Sequence, residues 1–100
     1  MPKLGQHFLH DPNIVRKIMH LASPKPDETV LEIGPGRGIL TRALAESAGL
    51  VIAIELDRTL YEVLKTGLAD RPNVRLIGAD ALDYPIETLP APLKVVANLP

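Results

Sequence analysis

The sequence predicts an α/β fold: a parallel, doubly wound sheet of which this chain carries the N-terminal half. Three observations lead there. Short apolar runs at residues 29–33, 50–55, 74–77 and 94–97 alternate with stretches of helical period. The first run opens into a glycine turn, Gly34-Pro35-Gly36-Arg37-Gly38. The later runs end on, or shortly before, the polar residues Glu55, Asp80 and Asn98. Strands alternating with helices favour right-handed β-α-β connections and so a parallel sheet.

Residues 2–10 show little periodicity and read as an ordered arm. Asp11-Pro12 supplies an N-cap and a first helical residue, and Ile14, Val15, Ile18, Met19 and Leu21-Ala22 follow at helical spacing, which predicts a helix over 12–22. Pro24 and Pro26 break it. The first strand, 29–33, contains β-branched Val30 and Ile33 and suits a central position. After the glycines, Ile39, Leu40, Ala43 and Leu44 mark one face of a helix ending near Gly49. A second buried strand covers 50–55. Asp57 caps a third helix with Leu60, Val63, Leu64 and Leu68 on its apolar stripe. The run at 74–77 is shorter and more mixed, hence nearer an edge. Prolines 85, 90 and 92 leave the next stretch irregular, with at best one helical turn. A fourth strand spans 94–97. Its far side is left without a partner, so the expected organisation is the N-terminal part of one domain: an arm and helix over 1–28, four β-α units over 29–100, and a C-terminal part missing.

Composition narrows the class. With 46% hydrophobic residues and a net charge of −1, the chain is globular rather than disordered. It has no cysteine, which excludes disulfides and thiolate metal sites. No apolar run approaches the roughly 20 residues that span a bilayer, so a cytoplasmic protein without membrane contact is expected. Charge is uneven: residues 1–25 carry Lys3, Arg16, Lys17 and Lys25 against Asp11 alone. Such a segment suits a phosphate backbone, or simply a solvated surface.

Parallel sheets bind ligands beyond the carboxyl ends of their strands, and the polar residues collect there. Glycines let the backbone approach a ligand, and the following helix points its N-terminal N–H groups at it. Glu55 lies 21 positions after Gly34, a spacing that suits a ribose diol, both of whose hydroxyls one carboxylate can accept. Asp80 suits an adenine amine, or alternatively a loop turn. A dinucleotide reading fails: the sixth position of G-x-G-x-x-G/A is Ile39 counted from Gly34 and Thr41 counted from Gly36. The turn is G-x-G-x-G preceded by an acid, Glu32, and no Gly-Lys-Ser/Thr follows. It fits a mononucleoside-like ligand with no pyrophosphate, such as S-adenosylmethionine (SAM).

Gly5-Gln6-His7-Phe8-Leu9, Leu31-Glu32-Ile33-Gly34-Pro35-Gly36, Ile54-Glu55-Leu56-Asp57, Asp80-Ala81 and Asn98-Leu99-Pro100 occur in that order. In this the chain resembles the N-terminal half of the rRNA adenine N6-dimethyltransferase family, in particular its bacterial small-subunit (KsgA-type) branch. Erythromycin-resistance methylases of large-subunit rRNA share the motifs. The glycine turn is common to many methyltransferases; the arm together with Asn-Leu-Pro is much more specific.

The resemblance implies a Rossmann-like methyltransferase fold, SAM as cofactor and no metal. It implies dimethylation of two adjacent adenines near the 3′ end of small-subunit (16S) rRNA, by a monomer that partners the small ribosomal subunit. Carried over position by position, His7 and Leu9 close over the SAM tail with Gln6 beside them. Gly34 meets the methionine portion, Glu55 the ribose diol and Asp80 the adenine amine. Asn98 sits between cofactor and target base. The Asn98 side-chain oxygen and the Leu99 carbonyl accept from the N6 amine and aim its lone pair at the sulfonium methyl. Two other classes remain on the table: a nicotinamide-dependent oxidoreductase, and a non-catalytic RNA-binding assembly factor on the same fold.

Overall fold

The computed structural model describes residues 11–90 and 93–97. Four strands form one parallel sheet: β1 (Thr29–Ile33), β2 (Leu50–Glu55), β3 (Val74–Gly78) and β4 (Leu93–Ala97), in the spatial order β3-β2-β1-β4. The helices are α1 (Pro12–Ala22), α2 (Ile39–Ser47) and α3 (Arg58–Gly67), with one 3₁₀ turn at Ile86–Thr88. The expected alternation, the parallel sheet and the edge placement of β3 are all present among the described residues.

β1 is central because residues on both its faces find apolar cover. Val30 packs with Leu40, Leu44, Ala45, Ala48 and Val51 beneath α2, and Val15, Ile18 and Met19 of α1 join from outside. On the other face Leu31, Ile52 and Ile54 are covered by Ile77, Tyr84, Ile86 and Leu89 of β3 and the segment after it. Leu40 and Leu44 are fully buried, and truncating either to alanine costs about 2–5 kcal/mol.

Caps set the helix starts. The Asp11 side chain accepts from the Asn13 N–H at 2.8 Å, and Asp57 from the Leu60 N–H at 3.0 Å. Long-range polar contacts fix the far ends. Asn73 donates to the carbonyls of Ala45 and Ala48 at the end of α2. Lys94 of β4 donates to the Ala22 and Ser23 carbonyls that close α1, and its Nζ lies 3.1 Å from Glu28 Oε1. That hydrogen bond holds the Glu28 carboxyl below the ordinary range.

Leu21, expected in the apolar stripe of α1, is 78% exposed, and Val15, Ile18 and Met19 make the core contact instead. The structure also corrects the stripes of the other two helices. Val63 was expected on the buried face of α3 but is 58% exposed, and Leu64 and Leu68 carry the contact. In α2 the buried set is Leu40, Thr41, Leu44 and Ala45, whereas Ile39 faces out and Ala43 is only half-buried. In both cases neighbouring apolar residues permit two rotations of the helix, and packing selects one.

Candidate functional site

The strand order reverses beside β1: the chain builds outward through β2 and β3, then crosses to place β4 on the other side. Parallel sheets open a crevice at such a point, at the carboxyl edge. Register aligns that edge. Ile33 pairs with Ile54 and with Ala97, and Glu55 pairs with Gly78.

The turn after β1 owes its shape to glycine. Gly34, Gly36 and Gly38 have φ of 76°, 59° and 85°, in the left-handed region that side chains disfavour. A Cβ on Gly36 would meet nothing within 4 Å, so that position faces open space. A Cβ on Gly38 would come within 2.8 Å of Leu64, so this glycine lets α3 approach the turn. Gly38 is also the N-cap of α2 and provides no side-chain cap, which leaves first-turn N–H groups without a capping acceptor.

Glu55 is nearly buried, at 6% exposure. Its Oε1 accepts from the Gly36 N–H at 3.2 Å and its Oε2 from the Asp57 N–H at 2.8 Å. The carboxyl group therefore ties the glycine turn to the corner where α3 begins. Each oxygen keeps a further acceptor site. Gly34 donates its N–H to the Ile54 carbonyl at 3.1 Å, which fixes the turn's entry to the neighbouring strand. The structure brings Gly34 and Glu55 together at adjacent strand ends. Asp80 stands two residues beyond Gly78, half-buried, with its Oδ1 accepting from the Leu82 N–H at 2.9 Å. One Asp80 oxygen thus closes a local turn, and the other accepts no hydrogen bond among the described residues. The readings of His7, Leu9, Asn98 and Leu99 lie outside the described residues.

One residue carries more than its sequence pattern suggested. Glu32, noted only as the acid before the glycines, is fully buried. Its Oε1 accepts from the Thr41 hydroxyl of α2, and its Oε2 has no partner among the described residues. Burial pushes its pKa up to about 7; the Thr41 bond pulls the other way, and the charge on Glu55 adds to the rise. Strand alternation was the signal that could have found it: Glu32 shares a face with Val30, whose apolar neighbours predict burial.

These features fit an adenosine-type cofactor. The missing Cβ at Gly36 leaves room, and Glu55 presents two ordered oxygens beside it. No group of three or more His, Cys, Asp or Glu side chains able to hold a metal ion occurs among the described residues. Among them too, no helix is long and apolar enough to cross a membrane.

Comparison with known proteins agrees with this geometry. The ribosomal RNA small subunit methyltransferase A of Moorella thermoacetica is 52% identical over 107 residues, covering 96% of this chain and 37% of that protein. A probable ribosomal RNA small subunit methyltransferase A of Methanopyrus kandleri is 48% identical, covering 98% of this chain and 34% of its own length. The chain thus spans little more than a third of these relatives. The crystal structure of a dimethyladenosine transferase from Plasmodium falciparum superposes with a TM-score of 0.80 at 32% identity, over 90% of this chain and 32% of that one. That of the 23S rRNA methyltransferase ErmE gives 0.77 at 36% identity, over 87% and 35%. The fold is therefore the Rossmann-like methyltransferase fold in its N-terminal part. A model of the ribosomal RNA adenine dimethylase family matches residues 1–100 throughout, and the chain belongs to that family.

Proposed function

We propose that the protein to which this chain belongs is a SAM-dependent methyltransferase that converts two adjacent adenines near the 3′ end of 16S rRNA to N6,N6-dimethyladenine during small-subunit biogenesis. The observation that carries the cofactor half of this reading is Glu55, held by the Gly36 and Asp57 N–H groups beside the open Gly36 position. The family supports the substrate half.

In this reading Glu55 accepts from the ribose diol, Asp80 from the adenine amine, and the Gly34 backbone meets the methionine portion. His7 and Leu9 close over the tail. SAM supplies an electrophilic methyl group on a sulfonium. The target N6 lone pair is delocalised into the adenine ring and is a poor nucleophile. The Asn98 side-chain oxygen and the Leu99 carbonyl would accept from the two N–H groups of the unmodified amine, and one of them from the single N–H left after the first transfer, turning the lone pair toward the methyl group. Each transfer would form an N6–C bond, break the S–C bond to leave S-adenosylhomocysteine, and release one N6 proton to solvent. Positioning and electrostatics then supply most of the rate, without a strong general base. The protein works as a monomer on the small ribosomal subunit in the cytoplasm.

A second reading, methylation of large-subunit rRNA, is favoured by the likeness to ErmE. One experiment separates the two. Full-length protein is incubated with SAM and with small or large subunits lacking the modification, and the RNA is digested for mass analysis. Dimethyladenine in the small-subunit RNA is expected. Product in large-subunit RNA alone moves the assignment to the resistance-type reaction. Product in neither, with subunit assembly still promoted by an Asn98→Ala variant, makes the protein an assembly factor.

A further inference from the structure

The outward face of α1 takes no part in the site described above. Asn13, Arg16, Lys17 and His20 recur at positions i, i+3, i+4 and i+7, and all four are exposed. Val15, Ile18 and Met19 on the opposite face pack against the core. The helix sequence, PNIVRKIMHLA, contains no carboxylate. Two of the nearest acids are occupied elsewhere: Asp11 caps the helix and Glu28 pairs with Lys94. Ion pairs among the described residues involve Arg42, Arg71 and Lys94, and none involves Arg16 or Lys17. The chain as a whole carries −1, so this positive face is a local concentration rather than a consequence of general basicity.

The stripe is also firmly mounted. α1 is capped at its start, packed along one side, and clamped at its end by the Lys94 bonds to the Ala22 and Ser23 carbonyls. At about 1.5 Å per residue the stripe runs roughly 10 Å. A nucleic-acid strand carries one phosphate per about 3.4 Å of duplex axis, so the stripe faces about three.

We propose that the Asn13–Arg16–Lys17–His20 face of α1 docks the phosphodiester backbone of the RNA substrate. The proposal rests on the methyltransferase reading and adds a surface to it. Arg16 and Lys17 supply the charge, and Asn13, which accepts a hydrogen bond from Arg16, helps hold the guanidinium in place. Contacts of this kind set affinity and register; base identity is read elsewhere.

The test uses full-length protein carrying Arg16→Gln and Lys17→Gln together. A control carries Lys65→Gln and Arg75→Gln, two exposed cations on α3 and β3. Binding of small-subunit rRNA is measured over a salt series, and SAM binding alongside. The expected result is an RNA Kd raised roughly tenfold at about 100 mM salt, with the salt slope reduced by about 1.5–2, SAM binding unchanged and the control like wild type. An unchanged RNA Kd and slope, or an equal loss in the control, overturns the proposal. So does normal binding of free RNA with weakened binding of the intact subunit, which would assign the face to a ribosomal protein. Wild-type protein that neither binds nor methylates rRNA overturns the function reading itself, and that result is distinct from the others.

Discussion

The turn after β1 and the loop after β3 reach the same edge of the sheet and are built in opposite ways. The turn is held from within. Pro35 is buried, the Gly36 N–H is tied to Glu55, and the helix that follows is bonded to Glu32 through Thr41. The loop enters on an Ala79 N–H bond to the Glu55 carbonyl and is then closed only locally, by the Leu82 N–H donating to Asp80 Oδ1 and the Asp83 N–H to the Asp80 carbonyl, and the Leu82 side chain is 93% exposed. The two sides of the crevice should therefore contribute unequally. Where folding has already ordered the acceptor, binding need not meet that entropy again. In the proposed placement of SAM, the Glu55 side should carry more of the affinity, and the Asp80 side should adjust around the ligand.

The largest expected effect concerns the buried carboxyl under the turn. Glu32 titrates near 7 in the folded chain against 4.5 for the unperturbed group. The folded state binds the extra proton between those values, so this contribution to stability is complete below pH 4.5 and is lost as pH rises through 7. The loss amounts to about 3 kcal/mol. Urea denaturation of full-length protein and of Glu32→Gln at pH 5 and pH 8 should show the variant losing less stability on the alkaline side. Parallel losses in the two proteins would show that Glu32 is not the titrating group.

Next comes Glu55→Ala, which removes the proposed ribose acceptor and the tie to Gly36 together. SAM binding by calorimetry should weaken by about 2 kcal/mol, roughly 30-fold. An unchanged dissociation constant would sink the ribose assignment. Gly38→Ala should destabilise the protein by about 1–2 kcal/mol, because a left-handed backbone gains a Cβ that presses on Leu64. A melting temperature equal to wild type would mean that the turn relaxes freely. The smallest effect is Asp80→Ala, about 1 kcal/mol or roughly fivefold in SAM affinity. If it matched or exceeded the Glu55→Ala effect, the contrast between turn and loop would be wrong.

The same contrast explains what could be read without coordinates. Strand and helix positions, the Asp11 and Asp57 caps, and the convergence of Gly34 and Glu55 follow from short-range patterns: period, capping chemistry, and spacing after a glycine turn. Three things did not follow. The rotation of α3, which exposes Val63 and buries Leu64, depends on contacts with the sheet and the glycine turn. The Lys94 clamp on α1 joins residues more than 70 positions apart. The unpartnered oxygen of Glu32 is a matter of packing, although the alternation of β1 already put that side chain on the covered face. β4 combines the two cases. Its apolar run marked it as a strand, but the 57% exposure of Val95 on one face could not be read from that run.

The central claim is that this glycine turn serves a mononucleoside cofactor and not a dinucleotide. Calorimetric titration of full-length protein with SAM and, separately, with NAD tests it most directly. Saturable binding of SAM at one site per chain, and no binding of NAD at the same concentrations, is expected. Saturable NAD binding without SAM binding would contradict it.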